Sequence, residues 1–377
     1  MMKKVHLLAV ARLFVATSLL AIAACHGGEQ TETTDGSAQF APLDDPNLQL
    51  LVTPSPAGHQ PFIDAIDSAR TSVRMVMYHL TDANVIQALI NAHRRNVSVK
   101  LILDQSSLVD PSAELNGYNQ LQAAGVDVMK SSTGFSITHE KAMAIDDRKV
   151  FITAMNMTNG YAAERDFGVI TEDPAILAEW NAVFLADVEN SRQTIWPSAK
   201  DPNPPAGPSH TPKLEVPSLI WSPVSSVTKL PALIGTARSS IVATVENIND
   251  TDVINAFGDA AKRGVDVRLI TPQCVLGNAL LDYPALDQLA SRGVSTRIMQ
   301  NLQTARNPYM HSKMILVDNA VAYVGSINFT GNSMEKAREA GIIFINSKAT
   351  QTIRTEFDAD WSNSIAVPKP VPANYCQ

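Results

Sequence analysis

The sequence predicts an α/β protein built as two repeated lobes, each a central sheet flanked by helices, and three observations carry that prediction. Two long segments align without a gap at a shift of 168 residues, so one supersecondary unit is written twice. Within each copy, helical and strand periodicities alternate, the pattern of helices packed on a central sheet. Between the copies lies a proline-rich stretch, residues 197–217, that suits neither helix nor central strand.

The repeat is dense. Ser68-Ala69-Arg70-Thr71-Ser72-Val73 recurs as Thr236-Ala237-Arg238-Ser239-Ser240-Ile241, Asp82-Ala83-Asn84-Val85-Ile86 as Asp250-Thr251-Asp252-Val253-Ile254, and the run from Arg95 to Ile102 as that from Arg263 to Ile270. Residues 62–69 read as a helix and 73–77 as an apolar run of strand length. Residues 82–94 place Val85, Ile86, Leu89, Ile90 and His93 at helical spacing, and 97–103 return to a strand with Ser98 and Lys100 interleaved. A connector of about twenty residues is long for a loop inside a compact domain and fits a strap between two lobes. The expected organisation is therefore a first lobe over 49–196, the connector over 197–217, a second lobe over 218–365 and a short tail over 366–377.

The start is not fold. Lys3, Lys4 and Arg12 precede an uncharged apolar run ending Ile22-Ala23-Ala24-Cys25, the layout of a secretory signal over residues 1–24. That end resembles the lipobox of bacterial lipoproteins, and the resemblance implies cleavage before Cys25 and a lipid on its sulfur. Residues 25–48 then read as a flexible polar tether, and the chain as exported and lipid-anchored at the cell envelope; in a Gram-negative cell, His26 after the cysteine points to the outer membrane or the periplasmic face. Cys274 and Cys376 are left; a bridge between them, or one buried and one terminal thiol, both remain open.

With 377 residues and 45% hydrophobic content the chain can bury a large core, while a formal net charge of −7 gives no general attraction to polyanions. That weighs against a nuclease, and no stable nucleic-acid partner is expected. No metal-ligand spacing appears, so neither metal nor cofactor is expected. His59, His79, His93 and His210 are scattered; His79 and Asp104, each ending a strand, are candidates for the cleft, although a core or surface place for His79 and a helix cap for Asp104 are the plainer readings.

The chemistry sits in two related motifs. His311-Ser312-Lys313 is followed at fixed intervals by Asp318 and by Gly325-Ser326-Ile327-Asn328, and His139-Glu140-Lys141 by Asp146 and Asn156, with Thr153-Ala154 where the second copy has Gly-Ser. This resembles the HxKx4Dx6GSxN signature of the phospholipase D superfamily, and the resemblance covers both repeats. It implies a phospholipase D-like fold, the two lobes related by a pseudo-two-fold axis around a shared cleft. It also implies a phosphodiesterase or phosphatidyltransferase working through a covalent phosphohistidine, with a phospholipid or other phosphodiester as substrate.

Spacing alone supports the cradle. Side chains at i and i+2 of a strand share a face, so His139 with Lys141 and His311 with Lys313 can each reach one phosphate, and a following turn brings Asn156 or Asn328 beside them. Ser326 is expected to add a hydroxyl to that cradle, which Ala154 cannot. A neutral imidazole can attack phosphorus while a protonated one serves the leaving group. The resemblance assigns His139 as nucleophile and His311 as general acid and base, though the altered Thr153-Ala154 step leaves a swap open. It also gives Asp166 and Glu339, 27 residues after His139 and 28 after His311, the task of orienting the catalytic imidazoles. Asp146 and Asp318 belong to the motif but read as more structural than chemical. Residues 106–119 and 275–283 are expected to shape the entrance. A chain carrying both motifs is expected to be a monomer. A metal-independent nuclease of the same superfamily and a non-catalytic phosphate- or lipid-binding lipoprotein are the competing functions.

Overall fold

The computed structural model describes residues 40–193, 212–275, 281–370 and 376. The signal segment, Cys25, and residues 197–211 of the connector lie outside the described residues. Among the described residues no helix is long and apolar enough to cross a membrane.

Each repeat builds a mixed sheet. In the first, seven strands run in the order Gln49–Val52, Phe167–Thr171, Lys149–Thr153, Lys141–Ile145, Ser72–Met77, Ser98–Leu103, Asp127–Lys130. The last three are parallel and the others antiparallel. The second repeat reproduces this centre as Glu339–Ile345, Val321–Gly325, Met314–Val317, Ser240–Thr244, Asp266–Pro272 and Ser295–Met299, within a sheet of nine strands. The parallel neighbours are joined by helices, as a crossover between parallel strands requires. In the first repeat the helix after the opening strand runs Ala83–Arg94, and Asp82 caps it by accepting from the amides of Asn84 and Val85; Asp250 does the same for Thr251–Lys262. Both aspartates lie in the repeated sequence, so the cap is duplicated with the helix.

The apolar faces explain why the lobes do not stand apart. Two outer cores lie between each sheet and its own crossover helices, one around Phe62, Leu89 and Leu101, the other around Phe257, Leu269 and Leu289. A third core draws on both repeats: Val76 and Ile152 from the first sheet, Val242, Met314 and Val324 from the second, with Trp180, Phe184 and Trp221 among them. Strands buried on both faces read as continuous apolar runs, as 142–145 and 314–317 do. The fold is therefore two phospholipase D-like α/β domains sharing a central core.

One expectation at the N-terminal end needs correction. The tether was expected to run through residue 48, but Leu43–Asp44 forms a parallel edge strand on Glu339–Ile345, Phe40 packs against the second repeat's core, and Leu48 is buried. Apolar side chains at 40, 43 and 48 bury themselves rather than stay in a solvated linker. At the other end Ile365–Ala366 pairs with Ser295–Met299, and Cys376 forms a disulfide with Cys274, one of the two alternatives the sequence left open.

Candidate active site

The site forms where the two sheets present the ends of corresponding strands to one cavity of about 560 Å³, lined by His139 and Asn156 from the first repeat and by His311, Asn328 and Glu246 from the second. His139 and His311 each sit two residues before a buried lysine, Lys141 at the start of one central strand and Lys313 just before the other. Both lysine ammonium groups donate to a nearby carbonyl, Lys141 Nζ to His139 O at 2.6 Å and Lys313 Nζ to His311 O. Glu140, between His139 and Lys141, turns the other way and accepts from the Trp180 indole at 2.9 Å. Burial, against the pull of Arg338, raises its pKa to about 7.

The carboxylates that hold the imidazoles are exchanged between repeats. His139 Nδ1 lies 2.8 Å from Glu339 Oε2, and His311 Nδ1 lies 2.9 Å from Asp166 Oδ2, with both carboxylates wholly buried. The backbone shows why. Tyr309–Met310 pairs in parallel with Glu164–Arg165, Thr138 makes the matching parallel bridge to Arg338, and the amides of His139 and His311 donate to the carbonyls of Arg338 and Arg165. The residue beside each arginine is the orienting carboxylate, so the same crossing that stitches the lobes places each acid on the other lobe's histidine. The arginines complete the stitch: Arg165 forks onto Asp360 at 2.7 and 3.0 Å, and Arg338 onto Asp187 at 2.7 and 3.0 Å, all four side chains buried.

Electrostatics separates the two histidines. Burial, aided by the positive charges of Lys141 and Lys313, pushes His139 well below the ordinary imidazole value. Burial also works against protonated His311, but Asp166 and Glu246 outweigh it and Lys313, and its pKa rises. A neutral His139 whose Nδ1–H donates to Glu339 leaves its Nε2 lone pair free, whereas a protonated His311 carries a transferable proton. Burial lifts Glu339 to about 7, opposed by Lys141 and by hydrogen bonds from Ser333 and Ser326. Lys141 is brought down to about 7 by burial and by Lys313.

Several expected site residues sit elsewhere. Ser326 does not face the cavity: its hydroxyl bonds the backbone of Ala340 and supports Glu339 from behind. Its neighbour Gly325 is required by a close approach, since a Cβ there would lie 2.5 Å from Gly341 Cα. In the first repeat the crowding is reversed, with the Thr153 side chain filling the space over Gly168. Asp146 and Asp318 are not catalytic groups. Each is a residue with positive φ that accepts three backbone amides, from Arg70, Thr71 and Ser72 in one repeat and from Arg238, Ser239 and Ser240 in the other. His79 does line the cavity, its Nδ1 3.1 Å from Glu114, while Asp104 caps a short helix and accepts the Thr138 amide at 2.7 Å, one residue before His139. Of the segments expected at the entrance, 275–283 contributes Val275 next to Cys274, and 276–280 lie outside the described residues. Residues 106–119 supply no lining residue, and Asn301 and Gln303 stand there instead.

Glu246 and Tyr78 were not singled out from the sequence. They occupy corresponding positions in the 168-residue repeat, one residue beyond Met77 and two beyond Thr244 at the strand ends, and both line the cavity. The Tyr78 ring meets His139 edge-on at 4.7 Å and lies 4.8 Å from Lys141 Nζ. Among the described residues, Glu164, Asp166 and His311 bring ligand-capable atoms within 4.8 Å of one another. That set already serves to hold the imidazole, through its Nδ1.

Comparison with known proteins falls on the same two repeats. The family described as cardiolipin synthase, PLD-like domain, matches residues 62–188 and again residues 230–361. A phospholipase D of Rickettsia bellii is 35% identical over 125 residues, 33% of this chain and 60% of that protein, so the chain spans less than two thirds of that relative's length. A cardiolipin synthase 1 of Bacillus anthracis is 23% identical over 362 residues, 86% of this chain and 69% of that protein. Among solved structures, a phosphatidylserine synthase of Haemophilus influenzae superimposes with a TM-score of 0.65 at 13% identity, covering 88% of this chain and 90% of that one, a likeness of fold.

Proposed function

The chain belongs to the family of the cardiolipin synthase PLD-like domain, and on that premise we propose that it is a phospholipase D-type phosphodiesterase or phosphatidyltransferase acting on phospholipid headgroups. The observation that carries this reading is the pair of buried imidazoles on one cavity, each held at Nδ1 by a carboxylate of the other repeat and shifted in opposite directions.

In this reading His139 Nε2 attacks phosphorus and the bond to the headgroup oxygen breaks, leaving a phosphohistidine. His311 gives its Nε2 proton to the departing alkoxide. The now neutral His311 takes a proton from water or from an alcohol, whose oxygen displaces His139 and releases the product. This reading assigns Lys141, Lys313, Asn156 and Asn328 as donors to the non-bridging oxygens. Water as acceptor gives hydrolysis, and an alcohol gives transfer. Because one chain supplies both halves, we read it as a monomer.

The test is a panel of phospholipid vesicles, an oligonucleotide and a simple aryl phosphodiester, with rapid acid quench to trap the phosphohistidine. Headgroup release that disappears in both His139→Ala and His311→Ala supports the reading; activity on the oligonucleotide alone makes the protein a nuclease, and turnover indifferent to either change removes the mechanism. Export and a lipid on Cys25 are part of the same proposal, supported by the Cys274–Cys376 disulfide, a bond of oxidising compartments. Labelling with a radioactive fatty acid checks it: Cys25→Ser must lose the label and leave the membrane fraction.

A further inference from the structure

The two halves of the phosphate cradle are not equally open. In the second, a carboxylate is already in place: Glu246 Oε2 lies 3.0 Å from Lys313 Nζ, 3.4 Å from Asn328 Nδ2 and 3.6 Å from His311 Nε2, the three donors a phosphate oxygen would use. Its other oxygen accepts from the Tyr309 hydroxyl at 2.9 Å, which fixes the group in that orientation. In the first repeat the corresponding residue is Tyr78, and among the described residues no carboxylate comes within ion-pair distance of Lys141. Asn156 Oδ1 has no hydrogen-bond partner there.

Resting on the phosphodiester reading of the cleft, we propose that Glu246 is its selectivity residue: a fixed carboxylate in the second half of the cradle admits singly charged phosphodiesters and turns away doubly charged phosphomonoesters. The argument is Coulombic. A group held this close to the place of the ligand repels in proportion to the ligand's charge, and the low-dielectric setting magnifies the difference. Burial opposes the charge on Glu246, but Lys313 and His311 hold its pKa far below the usual carboxylate range, so it stays ionised at any working pH. The charge it offers is therefore permanent, and the monoester left by hydrolysis of a diester is the ligand it disfavours most.

The test compares methyl phosphate with dimethyl phosphate, two ligands of similar size that carry nearly two charges and one charge at pH 8, by phosphorus NMR titration of the full chain. Glu246→Gln is expected to tighten methyl phosphate by about tenfold and dimethyl phosphate by only about threefold, because the repulsion removed scales with charge. Glu246→Tyr, which installs the first repeat's residue, must move the ratio the same way, so a folding defect in one variant does not decide the matter. An unchanged ratio in both variants overturns the proposal. Lys141→Ala separates the two layers of the argument: if it weakens both ligands while the ratio ignores Glu246, the cradle stands and the selectivity role falls. If neither ligand binds to any of these proteins, the phosphodiester reading fails, and the proposal with it.

Discussion

The half of the cleft built from the first repeat and the half built from the second carry the same histidine, lysine and asparagine, yet they are opposite in character. On one side burial and two ammonium groups lower the pKa of His139 beside Tyr78; on the other, Asp166 and Glu246 raise that of His311 against burial. Duplication gives a matched pair of side chains, and their identity alone does not say which is nucleophile and which is acid. The asymmetry resides in the neighbours, and substitutions can break or sharpen it.

The largest effects are expected at the histidines themselves. His139→Ala and His311→Ala should each lower phospholipid turnover by about 10⁴-fold or more, but they should part company on a substrate that leaves without help. With a p-nitrophenyl phosphodiester, whose leaving group needs no proton, His311→Ala should recover by about 10²-fold and His139→Ala should not. Recovery confined to His139→Ala would reverse the assignment, and recovery in neither would mean that both imidazoles do the same work.

Next come the exchanged carboxylates. Glu339→Gln should cost about 10²- to 10⁴-fold through His139, on the other repeat, with no further loss when added to His139→Ala. The pH profile divides the same way. Turnover should fall as pH drops through about 7, where the buried Glu339 takes up a proton and the His139–Glu339 pair loses its neutral-imidazole, carboxylate form. The alkaline limb belongs to His311, whose pKa is raised, and turnover is lost as pH climbs past it. Removing the negative charge in Asp166→Asn weakens the protonated form, so that limb must move to lower pH while the acid limb stays. Movement of both limbs together would show that the halves titrate as one unit.

The arginine clamps should matter less for chemistry and more for the joint. Asp187→Ala strands the buried Arg338 guanidinium and should cost about 3–5 kcal/mol in a urea or thermal unfolding curve, while Asp360→Ala should cost less, because Arg165 keeps Glu356 at 3.0 Å. Because Arg165 and Arg338 neighbour the orienting carboxylates, each variant should also disturb the histidine held by that neighbour: Asp360→Ala acts through Arg165 and Asp166 on His311, and Asp187→Ala through Arg338 and Glu339 on His139. Imidazole proton NMR reads that directly, and a disturbance of His139 by Asp360→Ala, or of His311 by Asp187→Ala, would contradict the crossed arrangement.

Much of this was legible beforehand for a physical reason. Strand and helix periodicity, the segment from Asp82 that recurs from Asp250, and the two histidine motifs are local patterns, and a duplicated local pattern announces itself. The crossing was not, because His139 meets Glu339 at a separation of 200 residues, and alignment of the repeats shows which residues correspond without showing which of them touch. Ser326 misled through the same limit: a hydroxyl two residues before Asn328 reads as facing the ligand, whereas the tight Gly325–Gly341 contact turns it toward Ala340 and Glu339. Glu246 did leave a signal, a charged residue directly after the buried run 241–245 and opposite Tyr78 in the repeat. Edge strand Leu43–Asp44 was hidden because two residues are too few to show a period.

The smallest expected effect tests the one place where the two halves are alike. Asp146, with φ 55°, and Asp318, with φ 50°, each gather three amides of the segment that leads into the neighbouring strand, and neither lines the cavity. Partial burial works against the charge, but the amides of residues 70–72 hold the Asp146 pKa down to about 2, and those of residues 238–240 lower that of Asp318. Replacing either with alanine should cost about 1–2 kcal/mol, as loss of a backbone cap does, and change turnover by less than about twofold. Since the folded-state pKa is depressed, that stability is fully present above the ordinary aspartate value of about 3.9 and is lost as pH falls toward 2. The wild-type and Asp146→Ala melting temperatures should therefore converge over that acid range, and those of wild type and Asp318→Ala should also converge as pH falls below the ordinary aspartate value. If Asp318→Ala lost activity without losing stability while Asp146→Ala kept both, the asymmetry of the cleft would reach into its scaffold, and neighbouring charges would no longer suffice to explain it.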